Sequence, residues 1–113
     1  MPNFESPDPD YESRIRASFS RQMVMPTIGA RLSAIRPGEV RIELPFSPTL
    51  TQQHGYLHAG IVGAIADSAC GYAAYTLMPA GSEVLTVEYK INFLSPARGQ
   101  TFTAHGKVVK PGR

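Results

Sequence analysis

Residues 52–74, QQHGYLHAGIVGAIADSACGYAA, hold the side chains best suited to chemistry. A polar, glycine-containing turn runs straight into a helix of small or apolar residues, and one carboxylate, Asp67, sits in the middle of that helix. The first N–H groups of a helix lack intrahelical partners and share the positive end of its dipole. Those of Ala59 and Gly60 can therefore polarise a carbonyl and hold a developing oxyanion; the same residues also suffice for an ordinary loop-to-helix cap. An acid on an apolar helix is costly unless something uses it. Asp67 either reaches solvent or a buried hydrogen bond, or it is a carboxylate that attacks a carbonyl or activates a water.

Nearby groups divide in the same way. His58 can hydrogen-bond the turn and fix it, or transfer a proton. His54 precedes it by four residues, but Gly55 breaks any helix between them and no third ligand has a suitable spacing, so no metal site is expected. Cys70 has no basic neighbour in sequence and reads as a small core residue. Ser68 lacks the G-x-S-x-G elbow of serine hydrolases. Neither G-x-G-x-x-G nor a P-loop occurs, so no cofactor is expected. Lys90, Arg98, Lys107 and Lys110 are scattered cations that assign no binding site.

Helix geometry separates the turn from the acid. Ala59 and Asp67 are eight residues apart, or ~12 Å at 1.5 Å per residue, whereas reacting atoms must approach to ~3–3.5 Å. If both act on one substrate, they belong to different subunits.

The elements that position these groups follow from hydropathy and turn residues. The chain has 113 residues, 42% hydrophobic and 18% charged, with net charge +2, which suits one globular domain over 1–113 and offers no basic stripe for nucleic acid. A single cysteine, no apolar leader and no apolar run of membrane-spanning length point to a soluble cytoplasmic protein without membrane contact. Residues 1–7 read as a flexible leader. Asp8-Pro9 reads as a helix cap and first position; Tyr11, Ile15, Phe19 and Met23 face inward at four-residue spacing; Pro26 ends that helix, and Arg14, Arg16 and Arg21 form its solvated face. Strands are expected over 28–35 and 39–46, joined at Pro37-Gly38. A central helix runs from Ala59–Gly60 to about Leu77, its many glycines and alanines held by tertiary packing rather than by propensity. The clean alternation over Val84–Leu94 predicts the clearest strand, and Thr101–Val109 a further one. The class is α+β with mostly antiparallel neighbours.

With these elements assigned, the sequence resembles the hotdog-fold thioesterases, specifically the PaaI-like acyl-CoA thioesterases. The resemblance rests on Gly55-Tyr-Leu-His58-Ala59-Gly60 with Asp67 in the helix, and on the strand Leu85–Leu94 followed by Ser95-Pro96-Ala97. It covers residues 19–110. Ala59 stands where the family has a glycine, and Gln52 or Gln53 where it has an asparagine. The resemblance implies an antiparallel sheet wrapped around a long central helix, and an acyl-CoA thioesterase acting on an aromatic or medium-chain acyl-CoA. Asp67 would be its nucleophile or general base, with Ala59 and Gly60 as oxyanion donors. His58 and Gln52 or Gln53 would organise turn and water, with Thr86 as auxiliary. It further implies homodimers or homotetramers with shared sites, and two more strands after Lys110-Pro-Gly-Arg113, so a truncated C-terminus is expected. The alternative is a non-catalytic hotdog module that binds acyl-CoA or only dimerises.

Overall fold

The computed structural model describes residues 3–111; the ends of the leader and of the Pro-Gly-Arg turn lie outside them. Helix α1 spans Tyr11–Arg21 and a short α2 spans Val24–Ile28. Strand β1 (Arg31–Arg36) and β2 (Glu39–Pro45) form a hairpin around Gly38 at φ +79°. Helix α3 spans Ala59–Tyr75, and β3 spans Thr101–Lys107. The sheet order is β1-β2-β3, antiparallel throughout.

Strand β2 is central, pairing with β1 along one edge and β3 along the other. Val40, Ile42 and Leu44 are fully buried beneath α3, with Arg41 exposed on the other side. Ile65, Ala69, Tyr72 and Ala73 supply the facing surface of the helix. The small residues of α3 have a specific counterpart in β3: a side chain at Gly106 would collide with the Ala69 carbonyl. Helix and sheet therefore touch backbone to backbone.

Several expectations are corrected. Helix α1 starts at Tyr11, not Pro9; Asp8 is buried, its Oδ1 accepts the Asp10 N–H at 2.9 Å, and its Oδ2 lies 3.3 Å from Arg14 Nε. Pro26 does not end α1 but sits in the first turn of α2, where its missing N–H has no intrahelical role. Met23 is 76% exposed because the chain turns between the two helices. The first strand starts at Arg31 rather than at residue 28, because Ile28 ends α2 and Gly29 caps it at φ +84°. Phe4 of the leader packs over Gly38.

Arg14 is not part of a solvated face. Its guanidinium donates to the carbonyls of Pro79, Tyr75 and Met78 at 2.7, 2.8 and 3.0 Å, and stacks 4.4 Å from the Tyr75 ring centroid. These carbonyls close the C-terminal end of α3, where helical C=O groups lack partners. A cation held there also complements the helix dipole.

Val84–Leu94 has no ladder partner among the described residues. Alternation favours extended backbone, but a strand also needs a neighbour's N–H and C=O groups. The segment instead lies along α3. Val84 meets Gly71, Thr86 meets Asp67 and Tyr89 meets Gly63. Numbers rise along the segment as they fall along the helix, so the two run antiparallel. Leu85, Val87 and Leu94 are 90%, 95% and 94% exposed.

Candidate active site

The turn before α3 is built by Gln52. Its Oε1 accepts the N–H groups of His54 at 2.6 Å and Tyr56 at 3.3 Å, and Gly55 at φ +86° supplies the left-handed residue. The exit is fastened by Leu57 N–H to Ala97 O at 3.0 Å and His58 N–H to Leu50 O at 2.9 Å. Its carbonyl oxygen is occupied by the turn, and its NH2 group has no hydrogen-bond partner among the described residues. Gln53 and His54 are exposed.

His58 is the N-cap of α3, its Nδ1 accepting the Gly60 N–H at 2.8 Å. A ring nitrogen that accepts carries no proton, so this ring's proton is on Nε2. The cap separates two N–H groups that the sequence pairs. Gly60's is engaged by His58, whereas Ala59's has no hydrogen-bond partner among the described residues. Ala59 and Gln52 both line a cavity of about 670 Å³, closed on its other side by residues 91–97.

Asp67 is half-buried on α3, and Thr86 Oγ1 donates to its Oδ1 at 2.8 Å. Both line a second cavity, of about 330 Å³. The two cavities share no residue. Within one chain, then, the structure joins Asp67 to Thr86 and Gln52 to Ala59, and keeps the two groups at separate places along α3. Cys70 is exposed, which corrects its reading as a core residue. Partial burial among its neighbours, and secondarily the Asp67 charge one turn away, push its thiol above the ordinary range.

Three lining residues, Ser18, Gln22 and Tyr72, escaped sequence reasoning, and Ser68 was weighed only as a serine-hydrolase nucleophile. Gln22 Nε2 donates to Tyr72 Oη at 3.0 Å, Ser18 Oγ lies 3.1 Å from the same hydroxyl, and Ser68 Oγ donates to Gln22 Oε1 at 3.1 Å. All four border the Asp67 cavity. A signal was present: Ser18 with Gln22 and Ser68 with Tyr72 are two polar pairs at four-residue spacing, so each pair shares a helix face.

A helix of small residues laid on an antiparallel sheet, with a glycine turn at its start and an acid midway, defines a hotdog fold of the PaaI-like type. Residues 54–113 match the thioesterase superfamily, and the chain belongs to that family. It is 38% identical over 78 residues to a protein of Saccharolobus solfataricus provisionally described as an esterase, covering 69% of this chain and 55% of that protein. A second such protein of the same organism is 32% identical over 101 residues, covering 89% and 67%. The chain thus spans just over half the length of the first relative. Among solved structures, a thioesterase family protein from Silicibacter pomeroyi superposes with TM-score 0.89 at 55% identity, covering 91% of this chain and 76% of that one. The Escherichia coli PaaI protein from the phenylacetic acid degradation operon superposes with TM-score 0.83 at 20% identity, covering 96% and 77%.

Proposed function

We propose that the protein is an acyl-CoA thioesterase that hydrolyses a thioester to a free acid and CoA thiol, in sites shared between two subunits. The observation that carries this reading is the split along α3: Asp67 with Thr86 at one cavity, the unpartnered Ala59 N–H at another. Asp67 of one subunit would work with the Ala59 N–H of the other. In the general-base route Asp67 takes a proton from water, the oxygen adds to the thioester carbonyl, and the oxyanion is held by the Ala59 N–H. The C–S bond then breaks and the thiolate leaves with the proton. In the nucleophilic route an Asp67 oxygen attacks the carbonyl, the C–S bond breaks to release the CoA thiolate and leave a mixed anhydride, and water hydrolyses that anhydride, giving its protons to the thiolate and to solvent. Thr86 orients the carboxylate, while His58 and Gln52 hold the turn. The proposed acyl group is aromatic or medium-chain, and the protein is cytoplasmic and a homodimer or tetramer.

The test is a panel of acyl-CoAs followed by thiol release. Wild type is expected to turn over at least one of them, with Asp67→Asn reduced by about 10²–10⁴-fold. Full activity in Asp67→Ala would sink the mechanism. A folded wild type inactive on every thioester would leave the protein as an acyl-CoA-binding or dimerisation module. A single turnover in ¹⁸O-water separates the routes, because only the nucleophilic one can leave label in Asp67.

A further inference from the structure

We infer that Tyr75 is a positioning residue for Asp67: its hydroxyl fixes the register in which residues 82–86 lie on α3, and so brings Thr86 to the carboxylate. This rests on the thioesterase reading and adds to it a residue that acts on Asp67 only through Thr86. Tyr75 is buried, and its Oη donates to the Ser82 carbonyl at 2.7 Å. Val84 packs on Gly71, and Thr86 Oγ1 donates to Asp67 Oδ1 at 2.8 Å.

These three contacts are successive rungs between a helix and an extended chain. Tyr75, Gly71 and Asp67 stand at four-residue intervals on α3, and Ser82, Val84 and Thr86 stand opposite them at two-residue intervals. Four residues of helix rise ~6 Å and two residues of extended chain ~6.6 Å, so the spacings stay matched to ~1 Å over three rungs. Register is decisive here, because a slip by one residue turns every side chain of an extended chain over. A slip would bring Leu85 or Val87 to Asp67, and neither has a donor to offer it.

Apolar packing does not choose the register. Leu85 and Val87, on the outward face, are 90% and 95% exposed, and they are as apolar as the inward Val84. In a sheet, the ladder to a neighbouring strand would fix it. Between Ser82 and Ala97, however, no backbone group has a backbone partner among the described residues. Tyr75 supplies the fixed end instead. Its ring lies 4.4 Å from the Arg14 guanidinium, which also donates to the carbonyls of Tyr75, Met78 and Pro79. The Ser82 N–H closes the same turn onto the Pro79 carbonyl at 3.2 Å. The carbonyl that the hydroxyl holds lies only four residues before Thr86.

The test compares wild type with Tyr75→Phe, Thr86→Val and the double variant, on the acyl-CoA that wild type hydrolyses fastest. Tyr75→Phe keeps the ring beneath Arg14, and rates are taken per folded molecule from a urea titration of each variant. Tyr75→Phe is expected to lower kcat about fivefold, the range of one net hydrogen bond, with KM changed by less than about twofold. Thr86→Val should lower kcat about tenfold, the scale of a hydrogen bond to a charged group. Adding Tyr75→Phe to Thr86→Val should change nothing further, because no donor is left to place. A hydroxyl that served only the fold, or that touched the substrate itself, would cost the same factor in both backgrounds. That outcome, or wild-type kcat in either single variant, would overturn the role of Tyr75 and leave the thioesterase reading intact. Absence of hydrolysis by folded wild type across the acyl-CoA panel would overturn both.

Discussion

In the proposed reaction Asp67 and Ala59 act through single atoms, and each has a substitution that removes the atom and little else. Ala59 is the first helical residue of α3, the one helix position where proline costs least. His58 before it already has φ −63° and ψ 136°, the conformation that a residue preceding proline favours. Ala59→Pro should therefore keep the fold and delete an N–H that has no partner among the described residues. A fall in kcat of about 10²–10³-fold, the usual cost of an oxyanion donor, with an unchanged circular dichroism spectrum, is the expected result. Cys70 reports on Asp67 from one turn away. Its thiol is raised first by desolvation and then by the Asp67 charge, so Asp67→Asn should lower it and speed alkylation at neutral pH. An unchanged labelling rate would show that the Asp67 charge does not reach the thiol.

Arg14 makes the element-scale case. It joins α1 to the end of α3 through three carbonyls and lies beside the buried Asp8. Arg14→Leu strands a carboxylate and uncaps a helix, and should cost about 3 kcal/mol, the scale of a broken buried pair, read as a lower urea midpoint with the slope unchanged. Gly106→Ala should cost about 1–3 kcal/mol, because the added methyl meets the Ala69 carbonyl and an overpacked contact must open. On the outer face, Glu39 is held below the usual carboxylate range chiefly by its hydrogen bond with His105, with Arg36 and Lys107 assisting. A depressed folded-state value means that the stabilisation is present above the unfolded value and is lost as pH falls through the folded one. The urea midpoints of wild type and Glu39→Gln should therefore differ at neutral pH and converge in acid. These elements also show what the sequence could convey. Alternation over 39–46 and the small residues of 59–75 were legible because local patterns determine burial on a two-sided strand or a packed helix. Arg14 was not, because a cation at helical spacing looks the same whether it meets water or carbonyls at and just beyond the end of another helix, 61–65 residues away. Val84–Leu94 reads as a strand in the sequence because hydropathy records which side chains alternate, not which backbone will answer them. The Asp67 half of the candidate site was legible as a lone acid; its Gln22 network, assembled from two helices, was not.

At the scale of the whole molecule, α3 turns from scaffold into ruler. Its eight-residue interval places Asp67 and Ala59 ~12 Å apart along the helix axis, too far for one acyl carbonyl to touch both, and no residue lines both of their cavities. The 84–97 segment supplies a wall to each cavity while showing Leu85 and Val87 at 90% and 95% exposure. Apolar surface of that kind is stabilised by burial at about 25 cal/mol per Å², which favours association along the same segment that borders the two half-sites. Shared sites have a stoichiometric signature that a self-contained site lacks. Asp67→Ala and Ala59→Pro each spoil both sites of a symmetric dimer. Unfolded together and refolded at equal concentrations, half of the dimers are mixed, and each mixed dimer regains one intact site from the Asp67 of one subunit and the Ala59 N–H of the other. Activity should return to about a quarter of wild type from two inactive parents. If each chain holds a complete site, or if the two residues do not act on one substrate, the mixture stays as inactive as its parents at every ratio, and the division of labour along α3 is wrong.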